Sequence, residues 1–314
     1  MDQKSKSKGL NRKELEKILS HYDLGNLKKA KSLPRRRGSQ RIYIVSASNR
    51  KYLLKEYKIF DYSRRKSLLL LDFLEKRNYP SSRVFNSIGG LPYIKYKDRY
   101  FAIFEFLNFP KRSKITAKRA YDVGKYLGIL HSMVMNFPIE RKNRGYEHFR
   151  KMLLTSYYKK KYAPANVKSV ITYMKNNIDE IKAPKSLPKA ICHVEFVRKH
   201  LLFKGEKLYR VIDWDFVGRD IMFYDLGTTT TVAFSDNMKF NFSFLANIIK
   251  GYDKSRKLTD WEREHIYEAV LYGAFKYAIW DIPGKAWRKG TFGYVRELMN
   301  YDKKSFNKEL SKFL

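Results

Sequence analysis

AICHVEFVRKHLLFKGEKLYRVIDWDFVGRDIMFYDL, residues 190–226, decides how this chain is read. Two short apolar runs, LLF and LYRVI, flank the turn KGEK as in a β-hairpin. On one side of the hairpin stand His193, Glu195 and His200; on the other stands Asp213, enclosed by Val211, Ile212 and Trp214. A carboxylate in such apolar company is costly unless a cation or hydrogen-bond donors satisfy it. Asp213 is therefore the leading candidate for a metal or phosphate site.

Outward from this stretch the pattern is helical, with segments at about 144–160, 164–182, 237–252 and 260–280. Thr116 to Met135 carries the stripe Ala120, Val123, Leu127, Leu130 and Val134, and Gly124 and Gly128 along its edge would let another backbone come close. The late aromatics, around Trp261, Tyr272, Trp280 and Trp287, read as helical core or as the wall of a pocket. Before Phe106 the period shifts towards two, giving strands at 27–33, 41–46, 51–57 and a hairpin over 92–106 turning at Lys97-Asp98. One helix, about 61–78, interrupts them and is stopped by Pro80. Asn11 and Glu14 form a capping box for an earlier helix with the stripe Leu15, Ile18, Leu19 and Tyr22. The expected fold class is α+β in two lobes: a basic tail over 1–10, a small antiparallel sheet with a helix over 11–107, and a mostly helical lobe over 108–314. FLNFPKRSK is the boundary.

Composition sets limits on function. Hydrophobic residues make up 44% and aromatics 16%, enough for a packed interior almost throughout. Sixty-six Lys and Arg against 31 Asp and Glu give +35, a field that favours phosphates, acidic polymers and anionic surfaces without specifying one. No zinc-finger spacing, RNA-recognition aromatic motif or basic-zipper heptad accompanies it. Cys192 is the only cysteine, so no intrachain disulfide forms, and a reducing compartment is expected. The start lacks a signal-peptide core and no apolar run approaches ~18 residues.

Several motifs follow one another in order: YLLKEY with Lys55, LLDFLEKRNYP, YFAIFEFL, VGKYLGILH, then ICHVEFVRKH and VIDWDFVGRDIMFYDL. From about residue 22 onwards the chain resembles the aminoglycoside phosphotransferase and choline kinase-like family, especially its spore coat kinases. That family carries H-G-D-x-x-x-x-N followed by an apolar hairpin, then I-D-[FWL]-[DE] and Y-D-L. The resemblance implies a protein-kinase-like fold whose first lobe binds nucleotide. It also implies ATP with Mg²⁺ or Mn²⁺ as cofactors, and a hydroxyl acceptor that is a small molecule or a protein. Lys55 would hold the nucleotide phosphates, with Gly38 and Ser39 in the covering turn PRRRGSQ, whose Arg35 to Arg37 are either phosphate clamps or plain turn residues. Glu105 to Leu107 would meet adenine, Asp213 would bind metal, His193 would brace the catalytic loop, and Asp225 would stabilise the lower lobe. Anionic polymers or spore coat proteins are further expected partners, with a location in the cytoplasm or in a spore coat deposited from it.

Three positions depart from that pattern. Glu195 stands where the family has its catalytic Asp, and His200 stands where it has the metal-binding Asn. An added methylene moves the carboxylate by more than an ångström, which can cost about 100-fold. Imidazole is a poor ligand for hard Mg²⁺ and better for softer Mn²⁺. Ser67 occupies the place of the Glu that would pair with the lysine. Two readings result: an active phosphotransferase with Glu195 as base, or a pseudokinase retained for binding or structure. A zinc site from His193, Glu195 and His200 lacks the spacing of a helical HExxH. Cys192 and His193, neighbours in an extended segment, point to opposite faces and form no nucleophile pair.

Overall fold

Asn11 accepts a hydrogen bond from the Glu14 amide while the Glu14 carboxylate takes the Asn11 amide, and this box starts helix α1 (Arg12–Leu19). In the computed structural model, which describes residues 9–34, 40–57, 60–109, 113–139, 145–287 and 290–314, the chain divides into units Met1–Phe109 and Pro110–Leu314. Gly38 and Ser39, with Arg35, Arg36 and Arg37, lie outside the described residues.

The first unit is an antiparallel sheet. Strands β1 (Leu27–Ser32), β2 (Arg41–Ala47) and β3 (Arg50–Tyr57) are followed by helix α2 (Tyr62–Glu75). Then come β4 (Val84–Phe85), β5 (Ile94–Tyr96) and β6 (Arg99–Glu105). The spatial order is β1-β2-β3-β6-β4, with β5 on β6. Alternation on β3 sends Tyr52, Leu54 and Glu56 to one face, where the α1 stripe of Leu15, Ile18, Leu19 and Tyr22 joins them in one core. The buried Glu56 carboxylate is satisfied by Arg99 at 3.2 Å and the Tyr43 hydroxyl at 3.3 Å. The stripe read from the sequence thus docks on the sheet of its own unit. The two-residue strand β4 gave no period to read.

The second unit is mostly helical. It runs α3 (Ala117–Met133), α4 (Tyr146–Ser156), α5 (Ala165–Asn177), β7 (Lys189–Cys192), β8 (Leu201–Lys204), β9 (Lys207–Val211) and β10 (Gly218–Ile221). It continues through α6 (Met222–Thr230), α7 (Phe242–Ser255), α8 (Asp260–Glu264), α9 (Ile266–Asp281), α10 (Thr291–Leu298) and α11 (Lys303–Ser311). β8 pairs β9 around the KGEK turn, and β7 pairs β10. The expected helix at 260–280 is broken at His265, and α6, α10 and α11 are additions to the sequence reading. α6 escaped because all nine of its residues are buried, leaving no polar face to set a period. α3 and α7 pack backbone to backbone. A Cβ on Gly124 would stand 1.9 Å from the Ile248 carbonyl oxygen, and one on Gly251 would stand 2.1 Å from that of Tyr121. Among the described residues, no helix is long and apolar enough to cross a membrane.

Candidate active site

β7 ends at Cys192, and the chain then makes a turn that one buried carboxylate organises. Asp225, on the fully buried α6, accepts the His193 amide on Oδ2 at 2.7 Å and the Val194 amide on Oδ1 at 2.8 Å. His131 of α3 approaches the same Oδ2 through Nε2 at 3.2 Å, while the Tyr252 hydroxyl lies 2.7 Å from its Nδ1. Burial alone would raise the Asp225 pKa. Its hydrogen bond from His131 and the nearby positive groups outweigh burial and hold the pKa below the ordinary value.

Val194 adopts φ +74, left-handed backbone that a β-branched residue disfavours. It stands where the resembling family has glycine. Its carbonyl accepts a hydrogen bond from Lys276 of α9, whose ammonium also donates to the Thr228 hydroxyl at 3.1 Å. Lys276 is buried, and desolvation pushes its pKa down to about 8. The sequence reading missed Lys276 because nothing local distinguishes it; only the packing of α9 against α6 brings it beneath the loop.

His193 is 0% exposed. Its Nε2 faces the Ile212 carbonyl at 3.2 Å and therefore donates, and its ring packs edge-on against Trp214 at 4.6 Å. Burial pushes its pKa down to about 4, so the ring is neutral and ties the loop to the segment that carries Asp213. This is a bracing position, below the surface.

Three of the residues singled out from the sequence converge: Glu195, His200 and Asp213 each bring a ligand atom within 4.8 Å of the others. His200 Nδ1 lies 2.9 Å from the Glu195 carbonyl oxygen and must donate to it. A neutral ring in that tautomer has its lone pair on Nε2, and Nε2 lies 3.1 Å from Asp213 Oδ2. Two acceptors so close call for a cation or a proton between them. A metal-binding histidine usually has the same arrangement, its other nitrogen donating to a carbonyl. Neighbouring ligands of an octahedral ion at ~2.1 Å stand about 3.0 Å apart, so the donor set fits a divalent cation. Asp213 also has positive φ, +68, which turns its carboxylate back towards the loop. The third member, Glu195, is held by Lys199 at 3.2 Å.

The other predicted residues belong to the first unit. Lys55 is on β3, opposite Ile42 and Ala102, with its ammonium 4.9 Å from the centre of the Phe104 ring. Glu105 closes β6 and accepts the Arg83 amide at 2.8 Å; half-buried Leu107 follows two residues later. Ser67 is buried on α2, its hydroxyl donating to the Ser63 carbonyl at 2.9 Å.

Known proteins resemble the chain across most of its length. The model of the phosphotransferase enzyme family matches residues 32–267. A homoserine kinase of Chelativorans sp. is 26% identical over 269 residues, covering 81% of this chain and 80% of that protein. Among solved structures, an aminoglycoside phosphotransferase from Alicyclobacillus acidocaldarius superposes with TM-score 0.69 at 13% identity, covering 98% of this chain and 99% of that one. An amicoumacin kinase in complex with AMP-PNP and Ca²⁺ superposes with TM-score 0.63 at 14% identity, covering 95% and 90%. The α+β architecture, with its antiparallel sheet unit and helical unit, is that of the protein-kinase-like fold.

Proposed function

The chain belongs to the phosphotransferase enzyme family, and we propose that it transfers the terminal phosphoryl group of ATP to a hydroxyl of a small molecule. In this reading Glu195 takes the acceptor's proton. The acceptor oxygen forms a bond to phosphorus as the bond between phosphorus and the ADP oxygen breaks. Asp213 and His200 would hold the divalent cation, which when bound would neutralise charge on the phosphates. Lys55 supplies a cation to the nucleotide, and the backbone at Glu105 to Leu107 receives adenine. The convergence of Glu195, His200 and Asp213 carries the proposal: the β8–β9 ladder, with the Ile212 amide on the His200 carbonyl at 3.0 Å, brings Asp213 beside His200, and the three ligand atoms lie within 4.8 Å of one another. A pseudokinase or a spore coat component draws no support from these relatives, which are named as phosphoryl-transfer enzymes. Homoserine, which the 26%-identical relative is named for, is the first acceptor to assay.

The donor set favours Mn²⁺ over Mg²⁺, since one ligand is imidazole nitrogen. Thermal unfolding with ATP and each metal tests both points. With ligand near a hundred times its Kd, MnATP should raise Tm by about 5 °C, and MgATP by less. Asp213→Ala should abolish the rise, and His200→Asn should move the preference towards Mg²⁺. No nucleotide effect with either metal would overturn the assignment.

A further inference from the structure

We infer that a cavity beside the Glu195 loop is the acceptor pocket, and that it selects small hydroxyl compounds bearing a carboxylate over polycationic amino sugars. The inference rests on the phosphotransferase reading above. The cavity measures about 390 Å³, and its lining includes Arg198, Lys199, Thr231, Tyr277, Thr291 and Tyr294. Lys199 reaches from the lining to the Glu195 carboxylate at 3.2 Å, so a hydroxyl held here is next to the proposed base.

Its charge and size set the ligand class. The lining includes Arg198 and Lys199 and no acid; their paired carboxylates, Asp236 and Glu195, stand outside it. Arg198 donates to the Ser113 carbonyl at 2.5 Å and pairs with Asp236 at 3.0 Å, but that carboxylate is 67% exposed. A carboxylate so open to water holds its partner weakly, so an incoming carboxylate competes with it at little cost. A polycation meets two like charges in the pocket and a chain of net charge +35 on approach. A volume of 390 Å³ lies near the lower end of small-molecule sites, which run from about 300 to 1,000 Å³. It suits an amino-acid-sized acceptor better than a multi-ring one.

Tyr277 gives a further, independent pointer. Its hydroxyl is buried and has no hydrogen-bond partner among the described residues. A buried hydroxyl left without a partner is destabilising, a penalty that a ligand in the cavity removes by bonding to it. Burial, with the charge of Glu195 added, pushes its pKa well up, so it is present as a donor. The two threonines already donate, Thr231 to the Thr228 carbonyl at 2.7 Å and Thr291 to Asp281 at 2.8 Å; they offer a ligand lone pairs only. Tyr277 is thus a buried donor at the cavity with no hydrogen-bond partner among the described residues.

The test is equilibrium binding of γ-hydroxybutyrate, of the diol in which its carboxylate is replaced by an alcohol, and of the matching amino alcohol. Binding should fall in that order, with at least a tenfold gap between acid and amine at low salt. Tyr277→Phe should weaken the acid about tenfold while raising the Tm of the unliganded protein, a combination that a purely structural tyrosine would not give. Arg198→Gln should narrow the gap between acid and amine; if that variant does not fold, Tyr277→Phe still decides. Equal or reversed affinities overturn the pocket assignment. MnATP binding is followed in parallel to separate the two proposals. Intact MnATP binding without the acid preference overturns the pocket alone. Lost MnATP binding with the preference intact overturns the phosphotransferase reading alone.

Discussion

Val194 holds left-handed backbone, φ +74, in the loop between His193 and Glu195. Left-handed residues cost roughly 1–2 kcal/mol when they carry a Cβ, and branching there adds to the cost. The hydrogen bonds from the Val194 amide to Asp225 and from Lys276 to the Val194 carbonyl hold the angle in place. Val197, three residues on, is equally buried, at 7% exposed against 8%, but has an ordinary φ of −128°. Removing either side chain loses about the same burial, so their difference isolates the strain. Val194→Gly should therefore destabilise by at least about 1 kcal/mol less than Val197→Gly in urea unfolding. Equal losses would mean the loop bears no strain. The H-G-D pattern already marked position 194 as a place for glycine, so this feature was legible. Asp225's grip on the loop was not, because its three partners come from α3 and from residues 32 and 31 positions upstream of it, and no local period encodes such contacts.

At the scale of elements, the pairing of α3 with α7 is fixed by glycine. Gly124→Ala gains up to about 1 kcal/mol of helix propensity. The new Cβ, however, would sit 1.9 Å from the Ile248 oxygen and 2.7 Å from its carbonyl carbon, and neither is a flexible side-chain end. Overpacking should win, lowering stability by about 3 kcal/mol or more, whereas Gly284→Ala, with nothing within 4 Å, should be nearly neutral. Similar urea midpoints for the two would contradict the close approach. This contact was readable in advance from the spacing of Gly124 and Gly128 beside the apolar stripe. α10 and α11 were not, since their buried positions, Phe292, Val295 and Leu298 and then Phe306 and Leu310, are too few to set a clear period. β2 and β3, by contrast, alternate cleanly, and the strands of the first unit other than β4 were located to within about two residues.

Over the whole molecule, charge is the dominant imbalance. Thirty-one acids cannot neutralise 66 Lys and Arg, and the excess of 35 positive charges repels itself in the folded state. Surface pairs such as Arg12 with Glu16 at 2.8 Å add less than ~1 kcal/mol each and weaken with salt. Self-repulsion is screened in the same range, as the Debye length falls from about 30 Å at 0.01 M to about 8 Å at 0.15 M. Repulsion outweighs pairing at this charge excess, so Tm should rise on going from low to physiological NaCl; a fall would assign the surface pairs the greater share. Composition made this charge plain, but not which cations face a ligand, since Arg198 and Lys199 gain meaning only from the cavity they line.

Cys192 sits at the end of β7, 1% exposed, its thiol directed at the Ala190 and Asp220 carbonyls, each at 3.7 Å. Burial holds its pKa well above the ordinary value, so it stays a thiol and reacts slowly. As the single cysteine of the chain, it makes the protein its own clock: a thiol reagent reacts only when β7 parts from β10. The modification rate times the opening of the two-stranded sheet from which the Glu195 loop departs, without any label having to be engineered in.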